Sequence, residues 1–461
     1  MTIKEFVQSN RKHILADIKA LADIKSVKGP PEPGAPYGAG VREVQLKAME
    51  LCEREGFDVT DADGLVSFAH HGPDDRFIGV FAHLDVVPEG DGWHTPPYDC
   101  EEREGYLVAR GVADNKGPFV MSLYAAKYLK EHCLPLTYGI RLIMGLDEES
   151  GMTDAEYYVE NFKSPVFTYT PDSDFPVCHG EKGIYESDLV SAPLGVSRVL
   201  KLSGGVASNV VPDHAAAVLE LSCKEGLEAA SSGKENVKLT ETADGITAEA
   251  FGVSAHAGTP YDGVSAIHAL LQLLMEAGTL NDKESGAAAF LCSVSGDISG
   301  KPLGIDCDDG KFTPLTIIAG KIEKTGEEWA MNVNVRYPTA ISPEKLEQSI
   351  ADAAGAAGFK VEGTRNMPPY YLDPELPAIK LLNGIYNELT GSDEKPYVMS
   401  GGTYARKLEN AVAFGPDFPN REHPSWVGTA HMKDEALSID DIMLSTEIYA
   451  EVLTRLQHVE F

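Results

Sequence analysis

His83 and Asp85 stand two apart at the end of the apolar run Phe77–Ala82. Side chains alternate faces along a strand, so the pair would project to one side of it. One member of such a pair can hold a metal ion while the other orients it or adds charge. Comparable groups recur further along. Asp114 lies in Gly111-Val112-Ala113-Asp114-Asn115-Lys116-Gly117, between a strand and a helix. Glu148 and Glu149 follow the apolar stretch Tyr138–Leu146, and Asp172 follows Val166–Tyr169 in Thr170-Pro171-Asp172. His431 stands far away, in Gly428-Thr429-Ala430-His431. Each has an ordinary use when taken alone: an N-cap for Asp114, a solvated face for the Asp147-Glu148-Glu149 run, a turn for Asp172. In this order, and all at strand ends, they form a set of two imidazoles and several carboxylates. That mixture suits zinc, cobalt or manganese.

The elements that must position these residues alternate along the chain. Residues 2–22 read as an amphipathic helix with Phe6, Ile14, Ile18 and Leu21 on its apolar stripe. A second helix is expected over about 40–56. Strand-like runs follow at Val66–Phe68, Ile78–Ala82, Leu107–Ala109 and Tyr138–Leu146, with a helix at Phe119–His132 between the last two. Buried strands alternating with helices predict an α/β domain with a mixed, largely parallel sheet. The carboxyl ends of parallel strands meet at one crevice, where residues distant in sequence can converge.

After Gly180 the texture becomes half-exposed strands, with helices at Asp262–Ala277 and Ser342–Ala356 and strands at Leu315–Ala319 and Trp329–Arg336. The first texture returns near Pro368. The expected organisation is a catalytic α/β domain over 1–180 and 368–461, with an α+β lid inserted over 181–367.

The matching segments Ala82–Pro88, Trp93–Tyr98, Arg110–Gly117, Asp147–Gly151, Pro171–Pro176, Ala255-His256, Asn334–Pro338 and Gly401–Ala405 span most of the chain. Through them the sequence resembles the aminoacylase/carboxypeptidase-type family of dinuclear metallopeptidases, and most closely its PepV-type dipeptidases. The resemblance implies that Asp114 bridges two divalent ions, zinc foremost, with manganese or cobalt as alternatives. His83 and Asp172 would complete one ion, Glu149 and His431 the other. It implies a cis peptide between Asp114 and Asn115, and a role for Asp85 in accepting the second imidazole N–H of His83. Glu148 would be the general base and acid. His256, from the insert, would stabilise the oxyanion when the insert closes as a lid. Arg336 would grip the substrate's terminal carboxylate. Asn209 and the Gly401 and Gly402 amides would bind the same end.

Bulk properties narrow the remaining classes. The 461 residues carry a net charge of -32, which argues against a nucleic-acid partner. The seven cysteines are scattered without a C-x-x-C pair, which fits reduced thiols and a cytoplasmic location over a disulfide framework. No signal peptide or membrane span is expected. No P-loop and no Gly-x-Ser-x-Gly elbow occurs. The expected activity is dipeptide hydrolysis. A deacylase, desuccinylase or carboxypeptidase of the same superfamily is the alternative, and a non-catalytic metal-binding protein stands third because a pure binder has no use for Glu148. A long insert that supplies Asn209, His256 and Arg336 from one chain favours a monomer and leaves a dimer open.

Overall fold

The computed structural model describes residues 1–461. It divides into two compact units. The first comprises residues 1–180, 372–397 and 402–461, and the second residues 181–371 and 398–401.

In the first unit the sheet order begins Asp58–Ala62, Val66–His71, Gly139–Gly145, Phe77–His83, Phe167–Thr170, Ala411–Ala413 and continues to Cys178–Glu181. The first two pairings are antiparallel. The next three are parallel, with His83 opposite Gly145 and Val80 opposite Tyr169. Every residue of Phe77–His83 and Gly139–Gly145 is buried, as strands covered on both faces must be. Helices Ile3–Ala22, Lys116–His132 and Ile439–Leu456 pack against one another. The first begins at a capping box between Thr2 and Glu5 and buries Phe6, Ile14, Ile18 and Leu21. Each such side chain taken from water contributes roughly 1.5–3 kcal/mol.

The second unit is built on an eight-stranded sheet. Its order is Val237–Thr242, Gly245–Phe251, His214–Leu219, Val199–Gly204, Thr316–Thr325, Glu328–Tyr337, Gly183–Ser191, Phe359–Met367. All of its pairings are antiparallel. Helices Ala266–Glu276, Asp282–Ser295 and Pro343–Ala356 supply the other layer of its core, which includes the fully buried Trp329. No helix in either unit is long and apolar enough to cross a membrane.

Candidate active site

Parallel pairing sets the carboxyl ends of three strands of the first unit side by side, and the expected donors follow them. His83 is the last residue of its strand. Glu148 and Glu149 lie just beyond Gly145, and Asp172 lies just beyond Thr170. Asp114 precedes the helix Lys116–His132, across a cis peptide to Asn115. His431 arrives from the loop before the last helix with φ of 65°, a left-handed conformation that costs a non-glycine residue roughly 1–2 kcal/mol.

These groups converge. His83 Nε2 lies 2.8 Å from Asp114 Oδ1 and 3.7 Å from Asp172 Oδ1. His431 Nε2 lies 2.9 Å from Asp114 Oδ2 and 3.1 Å from Glu149 Oε1. The two oxygens of Asp114 therefore face two different imidazoles, the arrangement of a shared carboxylate. Ligand atoms of His83, Asp114 and Glu149 fall within 4.8 Å of one another, and so do those of His83, Glu148 and Asp172. His83 is buried, whereas the His431 side chain is 55% exposed and forms the open side of the cluster.

Four carboxylates in one partly buried place repel each other. Burial, and then the charge of Asp172, push the Glu148 carboxyl well above the usual range. Burial and Asp114 push up both Glu149 and Asp172. Hydrogen bonds to Asp114 and Glu149 raise His431 to about 11. At His83 burial works downward but is outweighed by Asp114, so its pKa is also raised. These upward shifts reflect an excess of negative charge, which divalent cations would relieve. Nitrogen and oxygen donors without a thiolate, converging on this scale, fit such ions.

The hydrogen bonds of Asp85 differ from the expectation. His83 Nδ1 lies 2.9 Å from the backbone carbonyl of Asp85 and 3.5 Å from its carboxylate. The carboxylate instead accepts the backbone N–H groups of Glu148 and Glu149, each at 3.2 Å. Asp85 thus holds in place the Glu148-Glu149 dipeptide, whose side chains lie near Asp172 and beside His431 respectively. The His83 imidazole is satisfied by the Asp85 backbone carbonyl, which frees the Asp85 side chain for the neighbouring strand end.

Further supports escaped the sequence reading. Asn115 Nδ2 donates to the carbonyl of Pro171, tying the Asp114 loop to the Asp172 loop. The buried Asp154 carboxylate accepts the N–H of Asp147 at 3.0 Å, the N–H of Leu146, and the hydroxyl of Tyr404. The Tyr404 ring stacks on Phe81 at 4.1 Å. A signal was present for Asp154, an acidic residue in the first turn of the helix Thr153–Asn161. Its partner 250 residues away lies in the matching segment Gly401–Ala405, but nothing in the sequence pairs the two.

The remaining expected residues gather in the second unit, Gly402 excepted, which belongs to the first. Val210 and His256 form an antiparallel bridge, and Ala257 N–H donates to Asn209 O at 2.9 Å. His256 Nδ1 accepts the N–H of Gly258 at 3.1 Å, which places the ring proton on Nε2. His256 is exposed, while partial desolvation and then the charge of Arg336 lower its pKa. Arg336 donates through Nε to Asn334 Oδ1 at 3.0 Å and through Nη1 to Ser400 O at 2.9 Å. Asn209, His256, Arg336 and Gly401 thus belong to one neighbourhood of that unit.

The family described as Peptidase family M20/M25/M40 matches residues 79–455. The protein named "Putative dipeptidase YtjP" of Bacillus subtilis is 34% identical to this chain, covering 92% of each. A second protein named "Putative dipeptidase", from Staphylococcus aureus, is 30% identical with 98% of each covered. Among solved structures, the di-peptidase Dug1p of Saccharomyces cerevisiae superposes with a TM-score of 0.62 at 14% identity, over 100% of this chain and 98% of that one. Human carnosine dipeptidase 1 gives 0.59 at 15% identity, over 99% of each. At those identities the structures share the fold.

Proposed function

Because the chain belongs to peptidase family M20/M25/M40, we propose that it is a metal-dependent dipeptidase that works through two divalent ions. The observation that carries this reading is the Asp114 carboxylate set between His83 and His431, with Glu148 grouped with His83 and Asp172. The relatives named as dipeptidases support the substrate class. His83 and Asp172 would hold one ion, Glu149 and His431 the other, with Asp114 shared. Zinc is the proposed ion, and manganese or cobalt suits the same donors.

Bound cations would supply acidity to the attacking water and polarise the scissile carbonyl. Glu148 takes the proton of that water as its oxygen attacks the amide carbon, then passes it to the departing amine. His256 is assigned the developing oxyanion, because its Nε2–H is a neutral donor. Arg336 is assigned the free carboxylate, with Asn209 and the Gly401 and Gly402 amides at the same end. A small peptide is the proposed partner, with no nucleic acid or membrane, and the chain is proposed to act as a monomer. A cytoplasmic location is proposed on the seven free cysteines.

The test is hydrolysis of a dipeptide panel beside N-acetyl and N-succinyl amino acids, tripeptides and longer peptides, with metals restored after chelation. Cleavage of dipeptides alone is expected. Turnover only of the N-acyl compounds would make the protein a deacylase or desuccinylase, and release of C-terminal residues from long peptides would make it a carboxypeptidase. Arg336→Met is expected to raise KM for a dipeptide about 10- to 100-fold, the worth of a charge-assisted hydrogen bond. The corresponding dipeptide amide, which offers no carboxylate, should change by less than about threefold. Equal losses on the two substrates would remove Arg336 from its assignment.

A further inference from the structure

We infer that Glu435, together with Arg110, sets the position of His431 against Asp114 and thereby governs binding of the second ion, an inference that rests on the two-ion reading above. Glu435 is fully buried at 0% exposure, and Arg110 is 1% exposed. Glu435 Oε1 accepts three backbone N–H groups: Gly111 at 3.0 Å, Ala113 at 2.9 Å and Asp114 at 3.2 Å. Its Oε2 accepts Arg110 Nη1 at 2.6 Å, and its backbone carbonyl accepts Ala109 N–H at 3.1 Å. Arg110 Nη2 in turn donates to the carbonyls of His431 and Glu89, both at 3.3 Å.

The arrangement is reciprocal. A carboxylate on the His431 segment holds the backbone of the Asp114 loop, and a guanidinium on the Asp114 segment holds the backbone of His431. The remaining donors are fastened by other groups. The Asp85 carbonyl holds His83, and Asn115 holds the carbonyl before Asp172. Replacing the charged Oε2 of Glu435 while keeping Oε1 for the three N–H groups therefore leaves Asp114, His83 and Asp172 in place but releases Arg110, and with it His431, whose left-handed backbone needs holding. Buried ion pairs seldom add net stability, whereas outer groups that orient ligands commonly change metal affinity by 10- to 100-fold. Glu435 is thus a positioning residue that touches neither substrate nor ion.

The test is titration of Co2+ into the chelator-treated full chain, followed by calorimetry and by visible absorption. Wild-type protein should bind in two steps, and the step that His431→Ala abolishes is the second. Glu435→Gln is expected to weaken that step about 10- to 100-fold and alter its spectrum, while the first step moves by less than about threefold. Unchanged steps, or equal weakening of both, would overturn the inference. Should Glu435→Gln fail to fold, Arg110→Lys carries the test. It keeps the charge beside Glu435 but lacks the second nitrogen for the His431 carbonyl, so the second step should weaken about 3- to 10-fold and the first should hold. An unchanged second step in that variant also overturns it. A wild-type chain that binds fewer than two ions would fail the two-ion reading itself, and is told apart because it needs no variant.

Discussion

Glu148→Ala is expected to retain its bound metal and to lose about 10²- to 10⁴-fold in kcat, the range that a positioned general acid–base supplies. The loss should fall on kcat more than on KM, since in its proposed role the carboxyl acts on the water proton and on the leaving amine. Retained metal is the discriminating half of the result. Glu148 lies within 4.8 Å of donor atoms of His83 and Asp172, close enough to be a ligand itself. If it were one, metal affinity would fall with turnover. Its backbone N–H is held by Asp85 at 3.2 Å independently of the side chain, so the variant leaves Glu149 where it was. Metal analysis after dialysis, beside steady-state kinetics on a dipeptide, decides the matter. Turnover near the wild-type level would remove Glu148 from its role.

Asp114→Asn is expected to bind no more than one ion and to lose at least about 10³-fold in kcat/KM. The carboxylate presents one oxygen to His83 at 2.8 Å and the other to His431 at 2.9 Å. A carboxamide has a single oxygen for a cation and turns its NH2 towards the other side. Losing one ion removes several kcal/mol of charge stabilisation, and about 4 kcal/mol corresponds to a thousandfold. A second readout is thermal. Ligands that bind only the folded chain stabilise it by about 2.7 kcal/mol per site at a hundredfold excess over Kd. Adding metal should therefore raise the Tm of the variant by clearly less than that of the wild type. Two ions with full affinity in Asp114→Asn would refute the shared-ligand arrangement.

The parts of this site that could be read from sequence were those written in local pattern. His83, Glu148, Glu149 and Asp172 each follow an apolar run, and parallel strands deliver such residues to one edge. The helices Ile3–Ala22 and Ile439–Leu456 carry periodic apolar positions and clear caps. Other features depended on partners far away. The carboxylate of Asp85 could be assigned to His83 by proximity in sequence, but it serves the next strand end. Glu435 sits in the run Lys433-Asp434-Glu435, which in a chain of net charge -32 looks like ordinary surface. In the second unit the strand Gly183–Ser191 alternates buried and half-buried along its whole length. Ser187 and Ser191 on its buried face, with Ile184 and Val190 on its wetter face, masked that alternation. The helix Asp282–Ser295 has a capping box at Asn281 and Glu284, yet its contact face is partly alanine, which weakens the apolar stripe.

The position of Ala411–Ala413 beside Phe167–Thr170 has a consequence for how the chain is made. Ribosomes emit residues 1–180 first, then the whole of 181–371, and only afterwards the strand that continues the sheet and the helix Ile439–Leu456 that packs on Lys116–His132. At about 5–20 residues per second, synthesis of that middle stretch alone takes roughly 10 to 40 s. Throughout that interval the nascent first unit presents an unpaired strand edge and a bare apolar helix face, surfaces prone to stray association. His431 is the last donor to emerge. Until it does, the nascent protein is a partly assembled sheet that lacks one of the two imidazoles facing Asp114.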